Sequence, residues 1–474
     1  MTHTAHMKQF YIGGDWVDPL PGGKTIDVIN PADEKVFARV PKGTEKDIDN
    51  AVAAAKAAFP DWAATPLEDR QKIVGKIADA IAGNAEMLAR LMTKEQGKPL
   101  PESMGEMAWT EGFLRHYATL QPTGRTVQDD DAFQIEVRRV PLGVVAGICP
   151  WNFPVLVPFW KIGPALVAGN TIVLKPAPTT PLTILKLLEL CNDFVPAGVI
   201  NVVTDENDLG AALTRHPDVA KISFTGSTET GKKIMASAAG TIKRLTLELG
   251  GNDPAIILPD VDVKDTAAKI FNGAFMNAGQ VCMAVKRVYV HKDIYDEFCD
   301  ELARRAKQTV VDDGMHQGAD MGPIQNKAQY KKVKALIKSA RKDGTVLCGG
   351  VVKNRKGYFV NPVIVRDVKD GDDIVDQEQF GPILPVIRFS SVKSVTRKAN
   401  GLDYGLGASV WSGDAAKAKK IASKIQSGTV WVNQCVNIGP HIPMAGFKSS
   451  GLGVEQSQEG LDEYTQIQVM NIAR

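Results

Sequence analysis

The sequence predicts an α/β protein built from two α/β domains and a small β flap. Three observations carry this. Short apolar runs alternate with helical patterns from about Val144 onward, a second such series follows Gly250-Gly251, and two weakly alternating segments fit neither series. A chain of 474 residues has room for two or three domains.

In chain order, helical patterning comes first, over Ile48–Phe59 and Pro66–Thr93, with apolar residues three and four apart. Val144–Ile148, Thr171–Leu174, Ile200–Val203, Lys221–Phe224 and Leu245–Leu247 then read as buried strands, with helices at Pro181–Asn192 and Thr228–Ala238 between them. Strands alternating with helices predict βαβ units and a parallel sheet. In the second series the strands are Ala255–Leu258, Arg287–His291, Tyr358–Val365, Pro385–Phe389, Ala408–Trp411 and Thr429–Asn433. Helices at Val263–Asn277, Tyr295–Gln308 and Lys327–Lys342 separate them. The segments left over, Thr126–Val140 and Leu461–Ile472, suit paired strands extending from the body as an oligomerisation flap. The expected domains are therefore 1–122 with 142–250, then 251–446, with 123–141 and 455–474 forming the flap.

Apolar residues make up 44% and charged residues 23%, enough for sizeable cores without wholesale disorder. The net charge of +2 gives no support for a nucleic-acid footprint. No apolar stretch approaches the ~20 residues that span a bilayer. Met1–Phe10 lacks the layout of a signal peptide, and the first 30 residues contain no Arg. The expected compartment is the cytoplasm. Six scattered cysteines, with no C-x-x-C pair, argue against a zinc site or redox dithiol and predict free thiols. No metal site is expected.

Three stretches carry chemistry. In Asn277-Ala278-Gly279-Gln280-Val281-Cys282, the cysteine follows a helix on a tight turn, which can expose the thiol and aim a backbone N–H at one centre. Glu248 sits in the apolar run Leu247–Leu249, where burial raises a carboxyl toward the range of a general base. The double glycine behind it permits a close approach by a ligand or another strand. Asn152, in Pro150-Trp151-Asn152-Phe153-Pro154, lies at a strand's carboxyl end, where open α/β sheets bind ligands and an amide can stabilise an oxyanion. A buried structural thiol, a turn-capping glutamate and a turn-forming asparagine are the bland alternatives.

Together these stretches resemble the aldehyde dehydrogenase superfamily over about Asp15–Gln468. Trp160–Leu166, Leu174-Lys175-Pro176, Phe224–Ser227, Glu378–Pro382 and Pro443–Gly446 match in order and spacing. The resemblance implies a variant Rossmann cofactor domain, a catalytic α/β domain and the flap. It also implies oxidation of an aldehyde to its acid with NAD(P), through a thiohemiacetal and thioester on Cys282. Glu248 would activate the hydrolytic water, Asn152 would bind the oxyanion, and Lys161 would be a site lysine. Cofactor contacts would come from Trp151, Lys175, Gly226, Ser227, Leu249, Glu378 and Phe380. No G-x-G-x-x-G follows the first strand, and the family binds its cofactor without one. The expected partners are a small aldehyde and further copies of the chain, as a homodimer or homotetramer, with no nucleic acid or membrane.

Two departures bear on the cofactor. Pro178 replaces a glutamate that in the family often grips the adenosine ribose, leaving NADP possible. Asp205-Glu206-Asn207-Asp208 replaces a glycine pair and adds acidity that disfavours NADP. The balance slightly favours NAD. A third departure, Met444-Ala445 before Gly446, falls where the family borders its substrate tunnel, while Val281 and Met283 flank the nucleophile beside Phe153 and Trp160. A cysteine hydrolase would need a histidine partner, and the seven histidines fall in no triad-like motif. CoA-acylating relatives typically lack the residue matching Glu248, so hydrolysis by water is expected. A non-catalytic role on the same fold fits poorly with Cys282, Glu248 and Asn152 occurring together.

Overall fold

The computed structural model describes residues 6–20 and 23–474; part of the Met1–Phe10 stretch read above lies outside them. Five parallel strands form the heart of the first sheet: Ile200–Val202, Thr171–Lys175, Val144–Ile148, Val219–Thr225 and Arg244–Glu248, in that spatial order. Numbered by their order along the chain, they run 3-2-1-4-5, the doubly wound order. Its switch point lies between Val144–Ile148 and Val219–Thr225, at whose carboxyl ends a crevice must open. Antiparallel strands flank this core, Gly451–Leu452 at one edge and the Phe10–Ile12 and Asp15–Val17 pair at the other.

The second sheet has seven strands in the order Thr345–Val351, Val360–Arg366, Ile383–Phe389, Val285–His291, Asp253–Ile257, Gly407–Trp411 and Thr429–Val432. All of its pairs are parallel except the first. Burial on both faces explains why both sheets read as continuous apolar runs. Thr345–Val351 escaped the pattern because Gly349 and Gly350 adopt positive φ and its register shifts twice. The pair Thr25–Asn30 and Lys35–Pro41 was also not anticipated. The leftover segments do pair: Phe133–Pro141 lies between Arg125–Asp129 and Thr465–Ala473 in an antiparallel sheet.

Two helical expectations need correction. The Pro66–Thr93 run is two helices, Leu67–Gly83 and Ala85–Gln96, broken at Asn84, whose side-chain amide donates to Ala80 O. The helix from Val263 ends at Phe275 rather than Asn277, because Asn277 and Ala278 turn left-handed. Leu100–Tyr117 was not read as a helix at all. Its inward face begins with Ser103, Glu106 and Thr110 before Phe113, Leu114 and Tyr117, so polar residues mask the period. The C-terminal segment is mixed: Ser457–Asp462 is helical, and Leu461 and Tyr464 are core residues.

Candidate active site

At the switch point, the chain leaves Val144–Ile148 into the loop that carries Asn152, then enters the helix Leu156–Ala168. A fully buried ion pair holds this loop. Lys98 Nζ lies 2.5 Å from Glu106 Oε2 and donates to Asn152 O at 2.9 Å. Glu106 Oε1 accepts the backbone N–H groups of Val155 and Leu156 at 2.9 and 3.0 Å. The pair thereby places a carboxylate on unpaired amides at the start of a helix.

The turn before Cys282 is bound to the same carbonyl. Asn277 Nδ2 donates to Asn152 O at 3.0 Å, and Gln96 Nε2 donates to Asn277 Oδ1 at 2.9 Å. In return, Asn152 Nδ2 donates to Gln280 O at 3.0 Å. Asn277 and Ala278, with φ of 50° and 54°, are left-handed non-glycines, a conformation that costs ~1–3 kcal/mol each and persists only where neighbours over-determine it. These bonds provide that determination.

The result is a cavity of about 210 Å³ lined by Cys282, Asn152, Trp151, Gly226, Ser227, Leu249, Glu378 and Phe380 among others. Eight expected site residues thus converge, together with Val281, Met283, Phe153 and Trp160. Met444 and Ala445 do not line the cavity; Val436 and Ile438 take that place, with Trp109, Val157 and Met276. Ser227 caps the helix Thr228–Ala238 by accepting from Thr230 N, and since Ser227 lines the cavity, that helix's N-terminus lies at its edge. Phe380, also left-handed at φ 47°, is held by Gln329, whose side chain donates to Gln379 O and Phe380 O at 2.9 Å each. Its ring meets Trp151 edge-on at 5.3 Å. The double glycine makes room for Glu378 and Cys282: a Cβ on Gly250 would lie 2.6 Å from Glu378 Oε2, and one on Gly251 would lie 2.7 Å from Cys282 O.

Three expected residues lie outside this cavity. Glu248 is buried, and among the described residues neither of its carboxyl oxygens has a hydrogen-bond partner. Burial holds its pKa well above the usual carboxylate range; the Glu455 charge adds to this and Lys161 opposes it. Lys161 pairs with Glu455 Oε1 at 2.7 Å and Thr225 Oγ1 at 2.8 Å. Lys175 donates to Asp205 at 2.7 Å and Asn207 at 3.2 Å. Asn207 and Pro178 line a second cavity of about 780 Å³, which shares Trp151, Gln329 and Lys332 with the first. Burial pushes the Cys282 thiol up to about 12; Lys286 opposes this, and the charges of Glu248, Asp253 and Glu378 add to it. Sequence reasoning missed Lys98, Glu106, Asn277, Gln96 and Glu455. Each works through a partner distant in the chain, and only Asn277, in the turn before Cys282, lay in a stretch that drew attention.

A doubly wound sheet with a thiol, an amide and a helix N-terminus at its switch point has its groups where open α/β sheets bind ligands. The sequence pattern of the aldehyde dehydrogenase family matches residues 16–470. The chain is 40% identical to phenylacetaldehyde dehydrogenase of Pseudomonas fluorescens, over 98% of its own length and 96% of that protein's. The structure of an aldehyde dehydrogenase from Bacillus cereus in complex with NAD+ superposes with a TM-score of 0.96, at 39% identity, covering 98% of this chain and 96% of that one. An NADP-dependent enzyme of E. coli superposes equally well at 36% identity, covering all of both chains. The chain belongs to the aldehyde dehydrogenase family. It is an NAD(P)-dependent enzyme, and oxidation of an aldehyde to its acid is the family reaction.

Lys98→Met should strand Glu106 as an unpaired buried charge. The expected cost is ~3–5 kcal/mol in stability, read as a lowered thermal midpoint. Unchanged stability would mean that the pair holds nothing.

Proposed function

We propose that Cys282 is the nucleophile and Glu248 the base that releases the product. The observation that carries this reading is the convergence of Cys282 and Asn152 on one cavity, with an unbonded carboxyl buried beside it. The Cys282 thiol gives up its proton to water in the cavity, and the thiolate sulfur adds to the aldehyde carbon, forming a C–S bond and an alkoxide. The Asn152 amide and the Cys282 backbone N–H stabilise that oxygen, a contribution of the order of 10²–10³ in rate per donor. When bound, the oxidised dinucleotide supplies a positive ring beside the thiol and the acceptor for the hydride leaving the substrate carbon. Water then adds to the thioester, the C–S bond breaks and the acid leaves. With no hydrogen bond to hold it, the Glu248 carboxyl is free to turn toward Cys282 and take the water's proton. Lys161 and Glu455 act as positioning residues, setting the charge around Glu248.

The residues fit a dinucleotide. Ser227 would hold pyrophosphate at its helix end, Glu378 the nicotinamide ribose and Phe380 the ring, with Trp151, Gly226 and Leu249 alongside. The second cavity, edged by Asn207 and Pro178, suits the adenosine end near Lys175. Asp205 and Asn207 already occupy the Lys175 ammonium, so little of that lysine's charge is left for a 2′-phosphate. This favours NAD over NADP. The acidity of Glu206 and Asp208 counts for less than the sequence alone suggests, since Lys42 pairs with both. We place the enzyme in the cytoplasm, where its six free thiols would stay reduced. Among the described residues no helix is long and apolar enough to cross a membrane.

The flap is assigned to self-association as a homodimer or a dimer of dimers. Thr465–Ala473 forms the outer strand of its sheet and exposes Ile467 and Val469.

Four outcomes are expected. Glu248→Gln should keep a single-turnover burst of reduced cofactor followed by very slow turnover, partly rescued by hydroxylamine. The wild-type steady-state rate should fall on acidification through a pKa well above 4.5, because the protonated carboxyl cannot act as a base. Normal steady-state turnover in the variant would remove Glu248 from the mechanism. In cofactor titrations followed by fluorescence, Pro178→Glu should raise the NAD-to-NADP affinity ratio ~10-fold; an unchanged ratio would place the ribose elsewhere. Val469→Asp should give a smaller species in sedimentation, and a native coefficient would refute the flap's role. This substitution spares Leu461 and Tyr464, which belong to the core.

A further inference from the structure

Resting on the aldehyde-oxidising reading, we propose that the substrate is an uncharged apolar aldehyde, alkyl or aryl, and that the tunnel discriminates against carboxylate- and ammonium-bearing aldehydes. Beyond Cys282 the cavity wall is formed by Trp109, Phe153, Trp160, Met276, Val436 and Ile438. No side chain in that group bears a charge. Among the described residues the charged lining residues are Lys332 and Glu378, and both belong to the cofactor side. Lys332 also lines the second cavity, and Glu378 lies against Gly250 and Gly251.

An aldehyde with a carboxylate tail would therefore leave water without meeting a cation, at a cost that only pairing can offset. The cationic case needs a separate argument, because aromatic walls can cage a quaternary ammonium group. Here the ring of Phe153 already has the Lys98 ammonium 4.1 Å from its centroid. The ring of Trp160 packs against Phe113 at 5.5 Å. Trp109 is 42% exposed, so it offers its face to water rather than to a closed cage. An apolar tail gains from all of these surfaces, since each buries carbon against carbon.

The test compares kcat/KM for hexanal, 3-phenylpropanal, 4-oxobutanoate and betaine aldehyde with the wild-type enzyme and NAD. The two neutral aldehydes should exceed both charged ones by at least ~100-fold. Ile438→Arg should shift the 4-oxobutanoate-to-hexanal ratio at least ~10-fold toward the carboxylate, and Met276→Lys should do so as well. A wild-type preference for either charged aldehyde, with turnover intact, would overturn the substrate class and leave the reaction standing. An unmoved ratio in both folded variants would overturn the tunnel assignment. If a folded wild-type enzyme reduces neither NAD nor NADP with any of the four, the reading of the reaction falls with it.

Discussion

Everything at the site depends on one carbonyl oxygen, that of Asn152, and on the two donors it accepts. Lys98 comes from the N-terminal helical layer and Asn277 from the turn before Cys282. That oxygen therefore joins the loop at the switch point of the first sheet to the segment that delivers Cys282 into the second. With the main chain of Asn152 fixed from one side, its side-chain amide bonds Gln280 O on the other. Glu106 completes the arrangement by neutralising Lys98 and by satisfying two amides at the start of Leu156–Ala168. A buried ion pair is weak support for stability in itself, but removing one partner leaves the other as an uncompensated charge. Here the pair gives one geometry to a loop that is bonded to the strained left-handed turn at Asn277 and Ala278.

Charge is segregated around that fixed centre. Glu248, Glu455, Lys161 and Lys221 lie buried beneath the first sheet's end, and the wall beyond Cys282 is apolar. A carboxyl without a hydrogen-bond partner is costly inside a protein. Such a group is expected where it must change protonation or position during a reaction. Glycines at Gly250 and Gly251 permit the compactness, since a side chain at either would strike Glu378 or the carbonyl of Cys282.

Much was legible along the chain. Strands buried on both faces must be apolar, so Val144–Ile148 and Arg244–Glu248 were readable nearly to the residue. Cys282, Glu248 and Asn152 were conspicuous because each is a polar or reactive group set in a turn or an apolar run. What stayed hidden has a common cause. Leu100–Tyr117 turns Ser103, Glu106 and Thr110 inward, so its periodicity is not written in hydrophobicity.

By itself, then, the sequence determined the two α/β series, the order of their strands along the chain and the groups able to do chemistry. Local patterning suffices for these, since burial and turn geometry act on neighbouring residues. Tertiary structure alone decided that Lys98 and Glu106 meet at Asn152, that Lys175 is held by Asp205, and that Val436 and Ile438 rather than Met444 line the cavity. Those pairings join residues far apart in the chain. They depend on the doubly wound strand order, which the linear pattern of apolar residues does not encode.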